Sequence, residues 1–193
     1  MARTINFVFI CKNILKLEDL SKITEYLDDA IITEISCIDD WCWSNKISIN
    51  SNEDIKNSLL NGKICVILLK SKSFANVGVY IEKHGDDFEY DIWINTDEFL
   101  DMDSDVVDSK NEFIYNSCYD VFAKIIQTLE IDFKIFAIGT EVVFWYSTSL
   151  REMIEKSHNI VSWIIPDIYI LSNKYDFYRK KICGISATIL EKR

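Results

Sequence analysis

The chain has 193 residues, 49% of them apolar and 27% charged, with a single proline, five glycines and a formal net charge of −10. That profile excludes wholesale disorder and leaves little room for a linker, so one globular domain spanning 1–193 is expected. The charge disfavours nucleic acid as a partner, because a phosphate backbone calls for a basic patch.

Ile5 to Cys11 reads as a buried first strand. The polar Asn6, Lys12 and Asn13 interrupt any signal-peptide core, and no apolar run reaches the length of a membrane span. A soluble cytoplasmic protein is therefore expected, with no membrane partner. Leu17, Leu20, Ile23, Leu27 and Ala30 then recur at helical spacing. Strands are expected at Ile31–Ile38, around Lys46–Ile49 and at Ile64–Leu69, with a short helix capped by Ser51 or Asn52 and stopped at Asn61-Gly62.

The clearest local pattern is a hairpin. Val77, Val79 and Ile81 alternate with Gly78, Tyr80 and Glu82, and beyond His84-Gly85-Asp86-Asp87 the residues Phe88, Tyr90, Ile92 and Ile94 alternate with Glu89, Asp91, Trp93 and Asn95. One face is apolar; the other presents Tyr80, Glu82, Glu89, Asp91 and Trp93. A long helix is predicted from Lys110 to Ile131, with Ile114, Cys118, Val121, Phe122, Ile125 and Leu129 as its buried stripe. Two strands follow around Gly139-Thr140, then a helix opened by the Ser149-x-x-Glu152 capping box. Val161–Ile165, Ile168–Leu171 and Ile182–Leu190 read as closing strands, Pro166 marking a turn or edge. The fold class is α+β, a mixed or largely antiparallel sheet with helices packed against it.

The acidic residues are unevenly placed. Thirteen of the 31 lie between Glu82 and Asp120, opposed there only by Lys83 and Lys110. Within this run Asp101, Asp103, Asp105 and Glu112 occupy positions 1, 3, 5 and 12 of a calcium loop, but Val106 stands where the loop needs glycine. A solvated acidic loop leading into a helix explains the same residues. The six cysteines are scattered and suit small core hydrophobes in a reducing compartment, and His84 and His158 are isolated. No catalytic signature, glycine-rich phosphate loop or zinc-type ligand spacing emerges, so no enzyme activity, catalytic residue or cofactor is expected.

The size, the acidity, the α+β pattern and the stretches Tyr90–Asn95 (Y-D-I-W-I-N) and Phe136–Glu141 (F-A-I-G-T-E) together resemble the immunity proteins of bacterial polymorphic toxin systems. The resemblance implies a cytoplasmic antidote that blocks a cognate toxin domain, often a basic nuclease; it carries over no functional residue by position. From the charge pattern itself, a partner-binding face is expected at Glu82, Asp86, Asp87, Glu89, Asp91, Trp93, Asp97 and Glu98, with Trp93 as anchor. The alternative is a small enzyme or ligand-binding domain whose acidic loop takes a divalent cation or a cationic substrate.

Overall fold

A computed structural model describes residues 3–26, 30–72, 76–96, 105–169 and 177–193. Ten strands form one antiparallel sheet: β1 (Arg3–Cys11), β2 (Ile31–Ile38), β3 (Ile47–Ser48), β4 (Ile64–Lys70), β5 (Asn76–His84), β6 (Asp87–Thr96), β7 (Phe133–Val143), β8 (His158–Pro166), β9 (Tyr178–Lys181) and β10 (Ala187–Glu191). Their order across the sheet is β3-β2-β4-β5-β6-β1-β7-β8-β10-β9. The helices are α1 (Leu17–Glu25), α2 (Asn52–Leu60), α3 (Glu112–Leu129) and α4 (Leu150–Lys156). The architecture is α+β, and none of the described helices is long and apolar enough to cross a membrane.

Strand alternation divides the apolar residues between two sides. Ile5, Phe9, Ile67, Val79, Ile81, Tyr90, Ile92 and Phe136 join Leu20, Ile23, Ile55, Leu59, Tyr119 and Phe122 in the main core, under α1, α2 and α3. On the opposite side Val8, Ile10, Ile135, Ala137 and Trp163 pack beneath Met153 and Ile154 of α4. A smaller cluster of Ile38, Ile64 and Val66, on β2 and β4, has Leu68 and Tyr80 packed against it.

Capping follows the sequence. Ser51 accepts from the Asp54 N–H, Ser149 accepts from the Glu152 N–H, and α2 ends at Asn61 with Gly62 at φ 75°. In α3, however, the buried residues are Tyr115, Tyr119, Phe122, Ala123, Ile125 and Ile126, while Ile114, Cys118, Val121 and Leu129 are only partly covered. The two tyrosines turn the helix. The Tyr119 hydroxyl lies 2.7 Å from Ser162 Oγ and 3.0 Å from Oε1 of Glu191, a fully buried carboxylate. Lys180 at 2.6 Å and Arg193 at 2.9 Å neutralise that carboxylate. Lys180 is thus part of the ionic tie between α3 and the strands β8, β9 and β10.

Two expected boundaries also change. Ile182–Leu190 is not one strand: it holds the turn at Gly184, with φ 87°, that follows β9, and then β10. Ile168 and Tyr169 lie in a turn after β8, and the rest of that expected strand falls outside the described residues. Conversely the two strands expected around Gly139-Thr140 are one, β7, which runs through a register shift against β8. Gly139 makes this possible: a Cβ there would stand 1.9 Å from the Asn159 carbonyl oxygen. Backbone meets backbone, so no rotamer change can relieve the clash. Gly139→Ala should therefore lower stability by about 3 kcal/mol or more, read as a fall in the urea midpoint at unchanged m-value.

Candidate functional site: an acidic strip on the open sheet face

On the side of the sheet away from α1, α2 and α3, β5 and β6 form a strip between α4 and the turn carrying Trp41 and Trp43. The register pairs Gly78 with Trp93, Tyr80 with Asp91, Glu82 with Glu89 and His84 with Asp87. All of Tyr80, Glu82, His84, Glu89, Asp91 and Trp93 are partly exposed, and every alternate residue (Val79, Ile81, Tyr90, Ile92) is core. The two-residue period seen in the sequence is thus the device that sets the carboxylates side by side.

Aromatic rings hold one end of the strip. Trp93 stacks on Tyr80 with centroids 5.8 Å apart, and Trp41 (4.9 Å) and Trp43 (6.4 Å) meet Tyr80 edge-on. Gly78 gives the indole its place, because a Cβ there would come within 2.5 Å of Trp93 Cζ2 and 2.9 Å of the Ile67 carbonyl oxygen. Trp41 remains 54% exposed and Trp43 37%. The Trp93 Nε1 is buried and donates to no described acceptor.

The centre is electrostatically costly. Asn6 of β1 donates from Nδ2 to both Asp91 oxygens, at 2.9 and 3.0 Å. Its own amide oxygen accepts from the Val142 N–H at 3.2 Å, which fixes which way the amide faces. Burial nevertheless pushes the Asp91 carboxyl up to about 7; the Asn6 hydrogen bonds oppose this, while the charges of Glu89 and Glu82 add to it. Glu82 is likewise raised, by burial and then by Glu89 directly across the ladder. His84 is raised, chiefly by its contact with Glu89.

At the other end His84 stacks on Tyr146, centroids 4.5 Å apart and planes 13° apart. The Tyr146 hydroxyl donates to Asp87 Oδ2 at 2.7 Å, and Lys134 is paired with the same oxygen. Asp87, expected on the partner-binding face, is 2% exposed and withdrawn into this contact. Asp86 is exposed in the hairpin turn. Asp97 and Glu98 lie outside the described residues, as do Asp101 and Asp103 of the calcium-loop pattern. Asp105 is exposed, and Glu112 accepts from Arg193 at 2.6 Å. The structure therefore gathers Glu82, Glu89, Asp91 and Trp93, and adds Asn6, His84, Tyr80 and Tyr146. Asn6 carried a readable signal: one polar residue in an apolar strand, in phase with the opposite face from Ile5 and Phe7.

Comparison of the chain with known protein families, with curated proteins and with solved structures returned no match. The strip must be read from its own chemistry, which is that of a cation-accepting surface with an aromatic margin.

A raised carboxyl pKa means that, between its unfolded value near 4 and about 7, the folded state holds a proton that the unfolded chain releases. Asp91 thus costs stability as pH rises through that window, fully so above about 7. Asp91→Asn keeps an oxygen for Asn6 and removes the charge. Chemical denaturation across pH 4–8 should show a flatter stability profile for the variant, and a gain on the order of 2 kcal/mol at pH 8.

Proposed function

We propose that this protein is an immunity-type inhibitor that uses the acidic strip of its open sheet face to dock on, and block, a basic toxin domain. The observation that carries the reading is the grouping of Glu82, Glu89 and Asp91, like charges partly withdrawn from water with no lysine or arginine ion pair among the described residues. Such a group is expensive for the free protein and becomes favourable when a cation arrives: two opposite charges about 4 Å apart gain roughly 4 kcal/mol at an effective dielectric near 20. A partner's lysines and arginines supply that cation.

The surroundings suit a protein ligand. Trp41, Trp43 and Trp93 border the carboxylates, and large rings beside desolvated charges are how energetic centres of interfaces are built. The ladder beneath is rigid, so little ordering is required on binding. Where the toxin is a nuclease, the carboxylates stand in for substrate phosphates, and the acidic field speeds encounter. The same reading makes the protein a cytoplasmic antidote in a bacterium that encodes the toxin.

The test is association with the C-terminal domain encoded by the gene immediately upstream, measured by stopped flow at several salt concentrations. The triple variant Glu82→Gln, Glu89→Gln, Asp91→Asn should retain its circular dichroism spectrum. It should lose about tenfold to a hundredfold in association rate and show a flattened salt dependence. Equal rates for the two proteins would remove the strip from the interface, and failure of the wild-type chain to bind that domain would overturn the inhibitor reading.

A further inference from the structure

We propose that Glu82, His84 and Glu89 form a binding site for one zinc ion, held by two carboxylates and one imidazole beside the turn of the β5–β6 hairpin. One donor atom from each of the three residues lies within 4.8 Å of the others. All three stand on one face of one ladder: Glu82 and Glu89 are direct cross-strand partners, and His84 is two residues along β5. Backbone hydrogen bonding therefore fixes their relative positions before any ion arrives.

The contact between His84 and Glu89 points to a shared ligand. Nε2 and Oε2 are 3.0 Å apart, yet Nε2 is buried and makes no aligned hydrogen bond. The two donors lie side by side rather than facing each other. Neighbouring ligands on one ion, with bonds of about 2.0–2.2 Å, lie roughly 3.0–3.4 Å apart. Opposed glutamates are also a repulsive pair in an antiparallel ladder, and a single imidazolium cannot balance both.

A second layer orients the ring. His84 is held by its stack on Tyr146, whose hydroxyl is fixed by the buried Asp87 carboxylate. The other oxygen of Asp87 is buried without a hydrogen-bond partner. The stack sets the plane of the imidazole, the orienting role that outer-shell contacts play for a metal-ligating histidine. The side chains of His84 and Glu89 remain 28% and 13% exposed, so an ion can enter and water can complete its coordination. One nitrogen and two carboxylates favour a borderline first-row divalent ion over calcium or magnesium, and over the soft ions that thiolates select.

This assignment is independent of any protein partner and is tested on the isolated chain. The exposed thiols Cys42 and Cys183 also attract zinc, so both are replaced by serine throughout. After chelator treatment, zinc chloride is titrated calorimetrically, and the loaded protein is examined by zinc X-ray absorption. One equivalent of zinc with a nitrogen/oxygen shell and no sulfur is expected, with affinity weakened by about 100-fold in His84→Asn and in Glu89→Gln. Absence of stoichiometric binding, a sulfur-containing shell, or equal affinity in variants whose melting is cooperative would overturn the site. Should a variant fail to fold, the number of imidazoles in the absorption spectrum of the parent protein tests the site: one is expected, and none or two overturns it.

Discussion

The side-chain alternation of the central strands is the constraint on which the rest of the structure depends. In β4, β5, β6, β1 and β7, one set of alternate residues is buried beneath α1, α2 and α3. A slip of one residue in β6 would drive Glu89 and Asp91 into that core and lift Tyr90 and Ile92 into water, at a cost of many kcal/mol. The large apolar face therefore holds the acidic face in register. Tyr90 ties the two scales together: its ring stacks on Phe9 at 4.8 Å, and its hydroxyl accepts from the Leu15 N–H at 2.8 Å, anchoring the start of α1 to the middle of the sheet.

Charge in this chain has two different fates. Some of it is internal machinery: Glu191 is enclosed by Lys180, Arg193 and Tyr119, and Asp87 by Lys134 and Tyr146. Asp108 turns its carboxylate to the Lys110 and Asn111 amides at the entrance to α3. Those groups have partners of their own and contribute little to what a partner molecule meets. The carboxylates of Glu82, Glu89 and Asp91 differ because their neighbours are mostly each other. A total of charge over the segment 82–120 treats both kinds alike, whereas the fold separates them.

That separation explains what was legible in the sequence. The hairpin, its two faces, the Ser51 and Ser149 caps and the α+β class all follow from local rules of period, capping and turn chemistry, and the structure shows them. The buried face of α3 keeps Phe122 and Ile125 of the expected stripe and departs from the rest, because hydropathy favours Ile114 and Val121 over tyrosines. Tyr119 wins its place through hydrogen bonds to Ser162 and Glu191, far along the chain, and Tyr115 packs beside it. His84 read as a turn residue, since nothing local to it indicates Glu89 five positions on and Tyr146 more than sixty. Asn6 from the adjacent β1 and Lys134 from β7 beyond it enter the site for the same reason: strand order is set by long-range pairing, to which composition and spacing are blind. Asp87 was lost from the expected face because alternation gives the side a residue faces and says nothing of what covers it.

The position of β1 has a consequence for how the protein is made. It precedes the other described strands in sequence, yet it lies in the middle of the sheet, flanked by β6 and β7. As the nascent chain leaves the ribosome, neither edge of β1 has its neighbour until Asp87–Thr96 has been synthesised, and the second stays open until Phe133–Val143 follows. Throughout that interval Ile5, Phe7 and Phe9 are available to any passing strand. The sheet closes around a segment made well before either of its neighbours, so the strand at its centre is the one that waits longest for its partners.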